Sequence, residues 1–160
     1  MIYILWLLIV VVLLFCFVAF FGAPYVPTFS KDLHQIFSTI KLKKQAKVID
    51  LGSGDGRMLL IAAKKGYHAI GYELNPILWA VSKWRLRKYP NAKVRLGNFW
   101  SADVKDADLV FCFLATKYMP RLEKKLSKEM KQGSYFVSYA FELPNTKVIK
   151  KTTNTHYYKF

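Results

Sequence analysis

Acidic side chains are scarce in this chain. Ten Asp and Glu stand against 25 Lys and Arg, giving a formal net charge of +15. That imbalance leaves three readings open: a solvated lysine-rich surface, attraction to anionic lipid headgroups, or attraction to nucleic acid. Cysteine is scarcer still. Cys16 lies in an apolar N-terminal run and Cys112 in an apolar segment of strand character, so the two cannot pair and no disulfide framework exists. Neither belongs to a metal-spaced cluster, and His34, His68 and His156 are scattered without ligand spacing. No metal site is legible. Internal repeats and low-complexity stretches are also missing, which excludes solenoids and linker-dominated chains.

Charge is absent altogether from residues 1–21, a run of Ile, Leu, Val, Phe and aromatic side chains. Its length matches the ~20 apolar residues of a membrane-crossing helix. A cleaved signal peptide fits poorly, because there is no basic leader, the apolar part is too long and no Ala-x-Ala site follows. The expectation is a single transmembrane helix over 1–21. The first basic side chain is Lys31, and Lys41, Lys43, Lys44 and Lys47 crowd the flank. By the positive-inside tendency, a single-pass protein of this kind places its C-terminal domain in the cytoplasm, or in the matrix of an organelle.

The stretch around which the rest is organised is Val48-Ile49-Asp50-Leu51-Gly52-Ser53-Gly54-Asp55-Gly56-Arg57. An apolar, β-branched run ends in a glycine-rich turn, and a helical pattern follows over 58–65. Strand, glycine loop and helix in that order open a nucleotide-binding βαβ unit. The dinucleotide fingerprint Gly-x-Gly-x-x-Gly is not met, since Arg57 stands where its third glycine would fall. No Lys-Ser/Thr follows the loop, which excludes a P-loop. What remains is the loop pattern of an S-adenosylmethionine (SAM) site.

A Pro-containing linker and an amphipathic helix are expected over 22–45, with the main domain over 46–160. Pro24 and Pro27 stiffen the linker. Two readings of it stay open: a membrane-exit spacer, or part of the active-site mouth through Tyr25. Ser30 can cap a helix bearing Leu33, Ile36, Phe37 and Ile40 on one face. After the glycine loop, 68–73 reads as a second strand closing on Glu73, nineteen positions past Gly54. That is close to the ~20 expected of a carboxylate that accepts both ribose hydroxyls. Asn75-Pro76 opens a helix whose Ile77, Leu78, Val81 and Trp84 can face the sheet while Lys83, Arg85, Arg87 and Lys88 lean to water. A third strand, 92–96, leads to Gly97-Asn98-Phe99-Trp100, beside the adenine in this architecture. A central strand over 108–114 opens at Ala115-Thr116-Lys117 onto the crevice where open α/β sheets bind ligands. A helix over 118–131, a strand over 134–140 and a closing hairpin, 147–151 with 155–160, complete the chain. The fold class is α/β: a Rossmann-like, doubly wound seven-strand sheet with one antiparallel edge, preceded by the transmembrane helix.

At this point the sequence resembles a known family. Asp50-Leu51-Gly52-Ser53-Gly54-Asp55-Gly56-Arg57, Gly71-Tyr72-Glu73-Leu74-Asn75-Pro76 and Leu122-Glu123-Lys124-Lys125-Leu126, together with Pro24-Tyr25-Val26-Pro27 ahead of the domain, resemble the membrane-anchored protein-lysine methyltransferases. These include the ATP synthase c-subunit and adenine nucleotide translocase lysine methyltransferases and their prokaryotic relatives. The resemblance implies SAM as cofactor and a membrane-protein lysine as acceptor, at a lipid bilayer. The implied cofactor-binding residues are Asp50, Gly52, Ser53, Gly54, Asp55, Glu73, Leu74, Asn98 and Phe99. Asp50, Gly52 and Gly54 would take the methionine end and Glu73 the ribose. The family often has Asp where this chain has Asn98, and Gly-Val-Pro where it has Leu114-Ala115-Thr116. Tyr25, Phe99, Trp100 and Thr116 are candidates for the acceptor channel. No catalytic base is singled out. Rival readings are a nucleic-acid or small-molecule methyltransferase and a non-catalytic SAM-binding membrane protein.

Overall fold

The computed structural model describes residues 2–21 and 26–160, with first-helix side chains described for 2–6 and 8–12. Tyr25, one of the expected channel residues, lies outside the described residues. Helix α1, Ile2–Phe21, forms over the apolar run. Among the described residues, however, no helix is long and apolar enough to cross a membrane. The single-pass assignment is therefore corrected. The cytoplasmic or matrix placement of the domain falls with it, as does the bilayer contact that rested on the anchor.

One seven-strand sheet organises the rest. Its strands are β1 (Lys47–Leu51), β2 (His68–Glu73), β3 (Ala92–Leu96), β4 (Leu109–Cys112), β5 (Tyr135–Tyr139), β6 (Lys150–Lys151) and β7 (Thr155–Lys159), in the order β3-β2-β1-β4-β5-β7-β6. β1 to β5 run parallel, whereas β7 is antiparallel to both β5 and β6. The chain winds outward from β1 to β3 and then crosses back to β4. The switch point between β1 and β4 is where open sheets of this kind leave a crevice.

Two-residue alternation sends successive side chains of β1 to opposite faces. Val48 packs with Leu33, Ile36 and Phe37 of α2 (Ser30–Thr39) and with Met58 and Leu59 of α3 (Arg57–Lys64). Ile49 and Leu51 pack with Met119, Leu122 and Leu126 of α5 (Met119–Glu129) on the other face. The sheet is thus covered on both sides, which is why β4 reads as an unbroken apolar run.

Two local expectations change. Ser30 does not cap α2; it is the first helical residue, and Phe29 holds the cap position without a side-chain hydrogen bond. The helix is tied down instead by Asp32, whose Oδ2 accepts from Tyr139 Oη at 2.8 Å and Asn154 Nδ2 at 2.9 Å. In α4 (Pro76–Leu86) the buried residues are Leu78, Ser82 and Leu86, while Trp84 is exposed and stacks on the Arg87 guanidinium at 4.1 Å. That orientation follows from two contacts of the glycine loop. Arg85 turns inward to Asp55, and Ser82 fills the space beside Gly56.

Candidate functional site

The ends of β1, β2 and β4 surround a cavity of about 360 Å³. Its shape begins with the glycine loop. The amides of Gly52 and Ser53 both donate to the Tyr72 carbonyl, at 3.0 and 2.9 Å, drawing the end of β2 against the loop. Gly52 sits at φ +88, and a Cβ built there would meet nothing within 4 Å. Glycine is required here by backbone conformation, since the left-handed region disfavours other residues. Gly56 is different: it also has positive φ, and a Cβ there would collide with Ser82. Close approach of α4 thus demands glycine at that position.

Glu73 is buried and points at the loop. Its Oε2 accepts from the Gly54 amide at 2.7 Å and its Oε1 from the Asn75 amide at 2.8 Å. Burial pushes its carboxyl upward, and hydrogen bonds from the Asn75, Gly54 and Leu74 amides oppose that rise without cancelling it. Asn75 caps α4 by accepting from the amides of Ile77 and Leu78. A single Glu-Leu-Asn-Pro turn therefore both ends a strand and starts a helix.

Asp50 lies deeper. Its carboxyl is driven well above the usual carboxylate range, first by burial and then by the nearby charges of Glu73 and Asp55. Asp55 behaves oppositely. Burial works against its ionisation, but hydrogen bonds and charge from Arg57 and Arg85 prevail and hold it at about 2. Arg57 grips both oxygens of Asp55, at 3.0 and 2.8 Å, and Arg85 Nη1 approaches to 2.6 Å. Arg57 Nη1 also donates to the Thr28 carbonyl at 3.0 Å. That bond fastens the segment before α2 to the glycine loop, and Val26, Pro27 and Thr28 join the cavity wall.

Asp50, Gly52, Ser53, Gly54, Asp55, Glu73, Leu74, Asn98, Phe99 and Trp100 all line this one cavity. Asn98 is exposed, and its side-chain oxygen caps the short turn Phe99–Ser101 by accepting from the Trp100 amide at 3.1 Å. A carbonyl oxygen has a second lone pair free to accept from a ligand. Thr116 is exposed at the start of a short helical turn, outside the residues that form the wall. Sequence reasoning missed Tyr118, Phe113 and Phe141, which complete an aromatic rim with Phe99 and Trp100. The ring centroids of Phe99 and Trp100 are 4.8 Å apart, and those of Trp100 and Tyr118 are 6.4 Å apart. It also missed the Arg57–Thr28 link. The only available signal was Arg57 itself, a large cation where a glycine would otherwise sit.

Comparison with known proteins follows the same lines. Over 124 residues the chain is 35% identical to the ATP synthase c-subunit lysine N-methyltransferase of Mus musculus, covering 76% of this chain and 50% of that protein. It therefore spans about half the length of that curated relative. A protein-lysine N-methyltransferase of Saccharolobus islandicus is 35% identical over 125 residues, covering 75% of this chain and 78% of the relative. Among solved structures, an RNA methyltransferase from Salinibacter ruber in complex with S-adenosyl-L-homocysteine superposes with a TM-score of 0.78. At 22% identity, over 84% of this chain and 93% of that one, the likeness is one of fold. Residues 50–150, which begin at the buried Asp50 and run through the glycine loop, Glu73 and the aromatic rim, match the ANTKMT methyltransferase domain, and the chain belongs to that family.

Proposed function

We propose that this chain is a SAM-dependent protein-lysine methyltransferase whose acceptor is a lysine of a membrane protein. The observation that carries the reading is the buried Glu73 carboxylate, held by two backbone amides at the rim of a cavity that the glycine loop leaves open. The residues fit an adenosyl methyl donor. A carboxylate at the end of β2 suits vicinal ribose hydroxyls, and Gly52, with open space where a Cβ would stand, leaves the loop backbone accessible to a ligand. Asp50, buried beside two other carboxylates, suits a cationic amino-acid end. Asn98 and Phe99 suit the base, the first by hydrogen bonding and the second by its ring face.

When bound, SAM supplies a methyl group already activated by the sulfonium. The protein's part is to hold the acceptor amine in line and in its uncharged form. Phe99, Trp100, Tyr118 and Phe141 present aromatic side chains along the approach, with Lys117 and Arg121 over two of the rings. Desolvation along such a wall disfavours the ammonium form and so lowers the amine's pKa. The match to lysine methyltransferases from a mammal and an archaeon supports the acceptor class. The name of the former supports a membrane-protein acceptor.

Two linked measurements test the reading. Glu73→Ala should weaken SAM binding about a hundredfold by calorimetry, since charge-assisted hydrogen bonds are each worth ~1.5–3 kcal/mol. Purified protein incubated with native membranes and labelled SAM should transfer label to lysine in a membrane-protein band identified by mass spectrometry, and Glu73→Ala should not. Unchanged SAM affinity would remove the ribose assignment. Label found in RNA instead of protein would replace the acceptor class.

A further inference from the structure

A lysine acceptor is itself a cation, and this chain carries a net charge of +15. Of its ten carboxylates, Asp50, Asp55, Glu73 and Glu123 are buried, Asp108, Glu129 and Glu142 are paired with lysines, Asp32 is bonded to Tyr139 and Asn154, and Asp103 and Asp106 are exposed. The positive charge is also ordered. Lys117, Arg121, Lys124 and Lys128 are all exposed. Their spacing of four, three and four puts them on one face of α5 and the turn before it. The stripe starts at the cavity: Lys117 Nζ lies 4.8 Å over the ring of Tyr118, and the Arg121 guanidinium 4.1 Å over the ring of Trp100. Both rings line the cavity wall. The acids on α5 do not neutralise it. Glu123 turns inward to accept from Asn145 and Thr146, and Glu129 is held by Lys125 at 2.7 Å.

We propose that this face of α5 is the docking track for an acidic segment of the acceptor protein, lying beside the lysine to be methylated. The proposal rests on the protein-lysine reading above and names its substrate class. The stripe is ~16 Å long at the α-helical rise, the span of about five residues of extended chain. Acidic side chains within that distance of the acceptor reverse the sign of the approaching segment. They turn a repulsive encounter into a steered one. Exposed cations act through the field rather than through fixed pairs, so the effect belongs in KM and is screened by salt.

The test uses the full chain, tritiated SAM and three peptides with one central lysine. Their neighbours, within five residues on either side, are Asp, Gln or Arg. The Asp peptide should exceed the Gln peptide about tenfold in kcat/KM, through KM, with the gap closing to under about twofold near 1 M salt. Lys124→Glu combined with Lys128→Glu leaves two cations and two anions on the stripe and should abolish the preference for the Asp peptide over the Gln and Arg peptides. Both positions lie on the outer part of the stripe, so transfer to the Gln peptide and the melting temperature should stay as in the parent. Equal rates for the Asp and Gln peptides, or a preference that survives charge reversal, overturn the track while leaving the lysine reading intact. No transfer to any peptide by a protein that binds SAM overturns both. A single-stranded RNA oligonucleotide is included as competitor. If charge reversal abolishes its binding but moves no peptide KM, the stripe is a nucleic-acid surface and the proposal fails.

Discussion

The two halves of the cavity are held together by different means. On the β1–β2 side the geometry is written in the backbone. Amides of Gly52, Ser53, Gly54 and Asn75 find acceptors on Tyr72 and Glu73, and positive-φ glycines set the path. On the β4–α5 side the wall is made of side chains: Phe99, Trp100 and Tyr118 lean on one another, and cations sit over two of them. The backbone half leaves little freedom, as binding one constant ligand requires. The side-chain half can change residue by residue without disturbing the sheet. The lesson is that rigidity and adjustability have been separated onto opposite sides of the switch point.

Three substitutions probe that division. The largest effect is expected at Gly56→Ala, where a Cβ meets Ser82 and the backbone stays left-handed. Overpacking of ~1–3 kcal/mol plus about 1–2 kcal/mol of conformational strain should lower the unfolding free energy by ~2–5 kcal/mol. Chemical denaturation would measure it, and a loss under about 1 kcal/mol would show that the loop is not held as tightly as its contacts indicate.

Next is Asp50→Asn. The folded-state pKa of Asp50 is raised above its ordinary 3.8. The folded protein therefore binds that proton more tightly than the unfolded chain, and its stabilising contribution is complete below about 3.8 and lost as pH rises through the folded value. Removing the charge should raise the melting temperature at neutral pH, with the gain shrinking as pH falls toward 4. A gain independent of pH would mean that the carboxylate is not the strained group. The same variant should bind SAM more weakly, so that stability and cofactor affinity move in opposite directions.

The smallest effect on the fold is expected from Trp100→Ala. Stability should fall by about 1 kcal/mol or less, in the range of a partly exposed aromatic–cation pair, and SAM affinity should stay within about twofold. The KM for a lysine peptide should nevertheless rise about tenfold, because the substitution strips one face of the acceptor's approach. If cofactor affinity falls as far as acceptor affinity, the two halves are not separate.

Much of the backbone half was legible in the sequence. Gly-x-Gly-x-Gly after a β-branched run and an acidic residue nineteen positions later are spacings, and backbone geometry converts spacing directly into position. The strands and their antiparallel edge follow from the same kind of pattern. The side-chain half was legible only in part. Asn98, Phe99 and Trp100 could be placed because they follow a strand end. Tyr118 and Phe141 come from segments far apart in sequence, and nothing local marks them as neighbours. Asp55 was expected to face the cofactor. It lines the cavity, yet two arginines grip it, and one of them comes from the face of α4 expected to point to water. The apolar run at 1–21 shows the opposite error, where a composition signal that is strong in one dimension did not become a membrane span among the described residues.

The bond from Arg57 to the Thr28 carbonyl has a practical consequence. The chain runs along the cavity wall at Val26, Pro27 and Thr28 before it reaches its own sheet. A version trimmed to the alternating strands and helices would open the cavity at Val26–Thr28 and strip Leu33, Ile36 and Phe37 from one face of the sheet, with the bonds from Arg57 to Thr28 and from Tyr139 to Asp32 lost as well. Whatever is joined upstream of Val26 is therefore within mechanical reach of the site, and a fusion or shortened start is a change to the binding pocket rather than to a dispensable tail.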